Sequence, residues 1–183
     1  GGGELNGVMP NDQLPADMRL GVAATPEEAA RKAAFLLDQG VDQIKLIATG
    51  AVLAIGTEPG TPELTEDQMR AVVGVATPRG SYATAHAHGA DGIKVAIRAG
   101  VRVIDHASLI DDEGLALAKA RGVWLVMDIF NGDYIEEVGT KEGWPAEYLR
   151  KNRETTDVQR QGFAKAVKLG VPLIEHLDLS ALG

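Results

Sequence analysis

Residues 91–106, DGIKVAIRAGVRVIDH, hold the unit that decides the fold: a helical stretch, a glycine and a short apolar run. Gly100 stands where the helix is expected to end, and glycine readily takes the left-handed conformation that closes a helix. The run 101–106 is rich in Val and Ile without regular polar alternation, which is typical of a parallel strand buried on both faces. The stretch therefore predicts a helix over residues 91–99 followed by a buried strand.

The same unit recurs five times along the chain. Capping signals open two of the helices, at Thr25-Pro26 and at Thr65. We predict helices over residues 25–39, 65–77, 91–99, 112–121 and 145–169, the last as one helix or two. We predict strands over residues 41–49, 81–88, 101–106, 123–130 and 171–178.

This alternation predicts the α/β class with a parallel sheet. Five strands fit either an open doubly wound sheet or a partial (β/α)8 TIM-type barrel. No Gly-x-Gly-x-x-Gly follows the first strand, which weakens a dinucleotide-binding interpretation. The long connections 50–62 and 131–144 are predicted to be loops, and they follow strands, on the side where barrel enzymes build active sites.

The composition limits the class of protein. The 183 residues are 45% hydrophobic and 24% charged, as expected of a soluble globular domain. A net charge of −8 argues against nucleic-acid or anionic-membrane partners. No apolar run approaches the roughly 20 residues of a membrane span, and no signal peptide is apparent, so a cytoplasmic location is the default expectation. Without cysteine, thiolate metal sites and cysteine nucleophiles are excluded.

Lys45 lies inside the first predicted strand, where a charged side chain is costly to bury. Burial would favour the neutral, nucleophilic amine. Such an amine can form a Schiff base, or add carbon dioxide to give a carbamate with two metal-binding oxygens. A lysine that reaches solvent from the strand is an equally good interpretation.

Histidines stand at the ends of the next two strands. His86 and His88 are two residues apart, which puts both on one face of a strand. His106 ends the following strand. Imidazole is the commonest nitrogen ligand of zinc-type ions. The competing interpretation, of structural or solvent-exposed histidines, loses weight because all three fall at strand ends.

Carboxylates and a tyrosine extend the candidate site. Asp178 ends the last predicted strand, with His176 on the same face. It could ligate a metal and exchange a proton with water, or be a solvated terminal aspartate. Asp128 lies within a strand and could line the site or orient a neighbour. Tyr134, in the predicted loop 131–144, is a candidate substrate contact.

Four stretches together resemble the amidohydrolase superfamily: 44–50 IKLIATG, 85–93 AHAHGADGI, 103–107 VIDHA and 149–156 LRKNRETT. The resemblance is closest to its imidazolonepropionase-like branch, which includes metal-dependent Xaa-Pro and Xaa-Arg dipeptidases and ochratoxinase-like amidases. It implies a barrel with one or two divalent ions such as Zn2+ at its C-terminal face. On that template Lys45 is a carboxylated, metal-bridging lysine, and His86 and His106 are metal ligands. His88 contacts the substrate or the transition state, and Asp178 is both ligand and proton shuttle.

The sequence departs from the family pattern in two ways. The family's first-strand His-x-His motif is not in the chain, and His176-Leu177 replaces the usual Gly-Thr before the last aspartate. We therefore expect a fragment: residues 1–183 form a single partial barrel domain. We expect a hydrolase of small amide or dipeptide substrates with impaired activity, and a homo-oligomer. The alternatives are a non-catalytic, self-associating barrel remnant and a Schiff-base lyase that uses Lys45.

Overall fold

The computed structural model describes residues 21–175, which form a five-stranded parallel sheet with helices between the strands. In chain order the elements are α1 Pro26–Asp38, β1 Gln43–Ile47, α2 Glu66–Ala76, β2 Tyr82–Gly89, α3 Ala90–Ala99, β3 Val103–Leu109, α4 Asp112–Arg121, β4 Trp124–Met127, α5 Asn131–Glu142, α6 Ala146–Leu169 and β5 Leu173–Glu175. A short 3-10 turn, Thr77–Arg79, follows α2. None of the helices within residues 21–175 is long and apolar enough to cross a bilayer.

Local signals start and end the helices as predicted. Thr65 caps α2 with a full capping box: its hydroxyl accepts the Gln68 amide, and the Gln68 side chain accepts the Thr65 amide. At α1 the Thr25 hydroxyl accepts the Glu28 amide, but the Glu28 carboxylate reaches the amide of Ala24 instead of Thr25. Gly100 takes a φ of 96° at the end of α3, the left-handed conformation expected there.

The sheet is wound in one direction. The strand order is β1-β2-β3-β4-β5, and every neighbouring pair is parallel. A doubly wound sheet reverses its order at a switch point, whereas a barrel adds each strand beside the one before it. The fold is therefore a partial (β/α)8 barrel. The end of the predicted strand 171–178 lies outside the described residues.

The two faces of β2 show where the core lies. Ala83, Ala85 and Ala87 are almost completely buried and belong to the apolar core that the strands form with the helices. The residues between them face the opposite, concave side, where His86 and His88 line a cavity. Because side chains alternate along a strand, one stretch supplies both a helix-packing surface and a polar inner surface.

The predicted loop 131–144 is wrong: most of it is helix α5. Its glycines misled the prediction, since they allow close packing of α5 on α6 and do not break the helix. A Cβ on Gly132 would lie 2.2 Å from Thr156 Oγ1, and one on Gly139 would lie 2.9 Å from Leu149 Cδ2. The region 145–169 is one continuous helix, α6.

Candidate metal centre

Three imidazoles converge where β2 and β3 lie side by side. His106 is in the middle of β3, which continues to Leu109 and does not end at residue 106 as predicted. The ring centroids of His86 and His88 are 4.6 Å apart, and each lies 4.7 Å from that of His106. One nitrogen from each ring can be chosen so that all three lie within 4.8 Å of one another. His86 and His88 share the face that their two-residue spacing predicts, and this arrangement could hold a single metal ion.

Backbone irregularity brings His106 to this side of the sheet. Asp105 pairs with Lys45, which lines the same cavity as His106. In a regular strand, two consecutive side chains point to opposite faces. His106 and Ala107 have φ values of 70° and 49°, and the β2–β3 register shifts beside them. Non-glycine residues seldom take positive φ, and such strain clusters at functional sites.

Burial keeps two of the rings neutral. Desolvation, reinforced by His106 nearby, lowers the pKa of His86 to about 3. Desolvation also holds the pKa of His88 well below its usual value, with further contributions from His106 and His86. A neutral imidazole keeps a lone pair on one ring nitrogen, which is the form that binds metal.

Asp128 orients the third ring. Its carboxylate accepts a hydrogen bond from His106 Nδ1 at 3.1 Å, and the amide of Gln159 donates to it at 2.8 Å. Burial alone would raise the pKa of Asp128, but the hydrogen bonds from His106 and Gln159 lower it to about 2. The Nδ1–H tautomer fixed by this bond leaves the lone pair of His106 on Nε2, the usual arrangement of a carboxylate behind a metal-bound histidine.

The other two rings are also held by hydrogen bonds. His86 Nε2 lies 3.2 Å from the carbonyl oxygen of Gly50, in the segment after β1. His88 Nδ1 lies 2.8 Å from Ser108 Oγ, and its backbone amide donates to Thr49 Oγ1. Both ring orientations therefore depend on residues at the ends of the neighbouring strands.

Lys45 lines the cavity but is not buried, so the expectation of a buried strand lysine is wrong. Its side chain is 48% exposed, and its Nζ lies 2.5 Å from Asp105 Oδ2. Lys45 and Ile47 of β1 both line the cavity, but Ile47 is buried and Lys45 is exposed. The interpretation in which the lysine reaches solvent is the one the structure supports. Whether Lys45 carries a carbamate stays a prediction.

The remaining predicted site residues lie elsewhere. Tyr134 is half-buried on helix α5, not in a loop, and it is not among the residues that line the cavity. Its role as a substrate contact stays a prediction. Asp178 and His176 lie outside the described residues.

The cavity, of about 550 Å³, has one wall that was not predicted from the sequence. Helix α6 contributes Asn152, Thr155, Thr156 and Gln159 to its lining. These polar residues repeat at intervals of three and four, which puts them on one helix face. A helix that packs on a barrel is expected to be apolar on its inner face. The polar stripe on α6 is therefore the sequence signal that could have identified these residues as cavity lining.

Comparison with known proteins agrees with this geometry. The model of the amidohydrolase family matches residues 10–178. Ochratoxinase of Aspergillus niger is 28% identical over 170 residues, 88% of this chain and 34% of that protein. The chain thus spans about a third of the length of this curated relative.

Solved structures give the same result. A crystal structure described as an amidohydrolase superposes with a TM-score of 0.84 at 32% identity, over 93% of this chain and 42% of that one. A prolidase complexed with N-methylphosphonate-L-proline gives 0.86 at 26% identity, over 97% and 45%. An Xaa-Pro dipeptidase with bound methionine gives 0.82 at 29% identity, over 95% and 43%. The resemblance found in the sequence is confirmed: this chain belongs to the amidohydrolase family.

Proposed function

We propose that this chain carries the metal-binding part of a metal-dependent hydrolase of amide or peptide bonds. The observation that supports this most directly is the convergence of three imidazoles, two of them held neutral by burial. The ochratoxinase and dipeptidase relatives support the reaction class. A small amide or dipeptide is the proposed substrate, and residues 1–183 are proposed to be a single partial barrel domain.

The donor set fits a zinc-type ion, because neutral imidazoles are ligands that Zn2+ prefers. His86 and His106 would hold the ion, with His106 oriented by Asp128. A bound divalent ion lowers the pKa of water and polarises a carbonyl group. The carbamate of Lys45 and the proton-shuttle role of Asp178 are carried over from the family and remain proposals.

His88 has two proposed roles, hydrogen-bond donor to the substrate or third metal ligand. The direction of its hydrogen bond with Ser108 distinguishes them. If the Ser108 hydroxyl donates to Nδ1, His88 Nε2 carries the proton and can donate to a substrate oxygen in the transition state. If Nδ1–H donates to Ser108, Nε2 carries the lone pair and can be a third ligand. The family resemblance favours the first role, and the 4.8 Å grouping of the three rings makes the second equally compatible with the geometry.

The test is the metal content of the purified chain, measured by elemental analysis after incubation with zinc and bicarbonate. We expect about one ion per chain, lost in a His86→Ala/His106→Ala double variant and kept in a His176→Ala control. X-ray absorption would count the nitrogen ligands, since the chain has four histidines and no cysteine. A chain that takes up no metal, or takes it up equally in the double variant, contradicts the proposal.

We propose that turnover by this chain is impaired, because the family's His-x-His ligands are not in it. Hydrolysis of a dipeptide by the zinc-loaded chain at roughly 1–1,000 per second, a normal enzymatic rate, would contradict that. The Schiff-base alternative has less support, because the Lys45 amine is half-exposed and paired with the carboxylate of Asp105, not enclosed in an apolar pocket. Borohydride trapping with a carbonyl substrate tests it directly.

A further inference from the structure

A lysine is the largest fully buried side chain in the described part of the protein. Lys151, on helix α6, is 0% exposed. Its ammonium group donates to the backbone carbonyls of Ala54 and Thr57 and to the carboxylate of Glu147. Lysine is almost never buried without such partners, because desolvating the charge is costly. The partners here are mostly backbone of the segment that follows β1.

Helix α6 holds this segment at further points. The amide of Gly56 donates to Glu147 Oε1 at 3.1 Å, so one carboxylate joins Lys151 to the segment. On the outer side Arg150 forms an exposed ion pair with Glu58 at 2.6 Å. We call the contacts of Glu147, Arg150 and Lys151 with residues 54–58 the loop clasp. Nearly a hundred residues of chain separate its two sides, so it is a purely tertiary feature.

The clasp adjoins the cavity wall. Ala51, Val52 and Leu53 contribute apolar side chains to the cavity lining, to which α6 contributes polar ones. The segment is also pinned at its base, where the amide of Gly50 donates to the carbonyl of Thr61 at 2.9 Å. Residues 51–53 therefore lie between a backbone anchor at Gly50 and the Lys151 anchor at Ala54. The position of this wall follows from both anchors.

We propose that Lys151 is a positioning residue for substrate selection. By holding the carbonyls of Ala54 and Thr57, it fixes the apolar wall of residues 51–53, against which an apolar group of an amide substrate packs. An apolar residue of similar size would fill the same space but could not hold the two carbonyls. This inference rests on the proposed hydrolase function of the same cavity.

The test compares Lys151→Met with Lys151→Arg and with a matched control, Lys165→Met. Lys165 is on the same helix but exposed, where it pairs with Asp112. Calorimetry on the zinc-loaded chain would measure the affinity for N-acetyl-L-leucine and for N-acetyl-L-glutamate. We expect the unaltered chain to prefer the leucine compound. Lys151→Met should keep the metal content but lose about tenfold in that affinity, equivalent to about 1.4 kcal/mol.

Two further measurements separate positioning from general stability. Hydrogen exchange of the amides in residues 51–56 should accelerate in Lys151→Met, should be partly restored in Lys151→Arg, and should not change in Lys165→Met. If Lys151→Met does not fold, Glu147→Ala removes only the Gly56 bond and one partner of Lys151. It should show smaller changes in the same direction.

The outcomes distinguish the two proposals. Faster exchange without any loss of leucine preference would make Lys151 a structural residue only and would overturn the inference. Zinc uptake with no leucine preference in the unaltered chain would overturn it too, while leaving the metal centre in place. Failure to take up zinc at all would overturn the proposed function, and the inference with it.

Discussion

Lys45 on β1 lines the cavity, whereas Lys151 on α6 holds the segment that follows the cavity wall, and the two lysines have opposite surroundings. Lys45 is half-exposed and pairs with one carboxylate, that of Asp105. Lys151 is completely buried, with two carbonyls and a carboxylate around its ammonium group. A strand in a barrel points every second side chain into the inner space, as β1 does with Lys45. Helix α6 instead packs against residues 54–58, and the Lys151 side chain is enclosed between the helix and that segment. The surroundings of a lysine, not its type of element, decide its exposure.

Lys151→Ala should have the largest effect on stability. The change leaves two carbonyls without a donor and a space where the side chain was, so we expect a loss of about 3 kcal/mol. Chemical denaturation of the metal-free chain measures it. If Lys151→Ala lowered the free energy of unfolding by no more than a surface substitution does, the proposed difference in how tightly Lys151 and Lys45 are held would be contradicted.

Gly132→Ala tests how tightly α5 packs on α6, the helix that carries Lys151. The new Cβ would meet Thr156 Oγ1 at 2.2 Å, so overpacking should cost about 1–3 kcal/mol. Gly74→Ala is the control: Gly74 is in the last turn of α2, with no atom within 4 Å of the new Cβ. That change should stabilise the chain by about 0.5–1 kcal/mol, because alanine favours helix. Equal effects at the two sites, measured by thermal unfolding, would contradict the packing found here.

The variants Asp128→Asn and Asp105→Asn compare two carboxylates that bind side chains of the cavity. Asp128 accepts a hydrogen bond from His106, and Asp105 pairs with Lys45. Loss of the charge behind His106 should weaken zinc binding by about 10–100-fold, a typical effect of altering the group behind a metal-bound histidine. Titration with a competing zinc chelator measures the affinity. Asp105→Asn, which alters the partner of Lys45, should weaken it less. The reverse order would mean that the Lys45–Asp105 pair, not Asp128, organises the metal centre.

Lys45→Met should have the smallest effect on the stability of the metal-free chain. Exposed ion pairs contribute about 0–1 kcal/mol, so a loss of about 0.5 kcal/mol is expected. The same denaturation experiment used for Lys151→Ala measures it. A loss of several kcal/mol would show that Lys45 is more strongly held than its exposure indicates.

Much of the fold was predictable because it follows from local signals. Proline and threonine mark where α1 and α2 begin, and glycines mark where helices end. Val- and Ile-rich runs mark four of the five strands over most of their length, while β2 is marked by its alternation of alanine and histidine. The prediction of a loop over residues 131–144 was wrong because glycine can either break a helix or allow another helix to pack closely against it. Gly132 and Gly139 permit close helix contact, which depends on a partner helix that local sequence does not show.

The candidate site was predictable only in part. His86 and His88 were placed together correctly because strand periodicity is a local property. His106 was chosen for its position at a strand end, but the left-handed backbone that turns it toward the cavity was not foreseen. The pairing of His106 with Asp128, and of Asp128 with Gln159, joins three separate elements and left no local pattern.

The sequence by itself determined the α/β class, the order of the strands and of every helix except α5, the family, and the three candidate histidines. Each of these depends on residues that are close together in the chain or on motifs that are contiguous in the sequence. Only the tertiary structure decided that His106 turns toward the cavity, that Lys45 is open to solvent and that Lys151 is enclosed. Those properties depend on which distant segments meet, because exposure and hydrogen bonding are set by the atoms that surround a side chain in space.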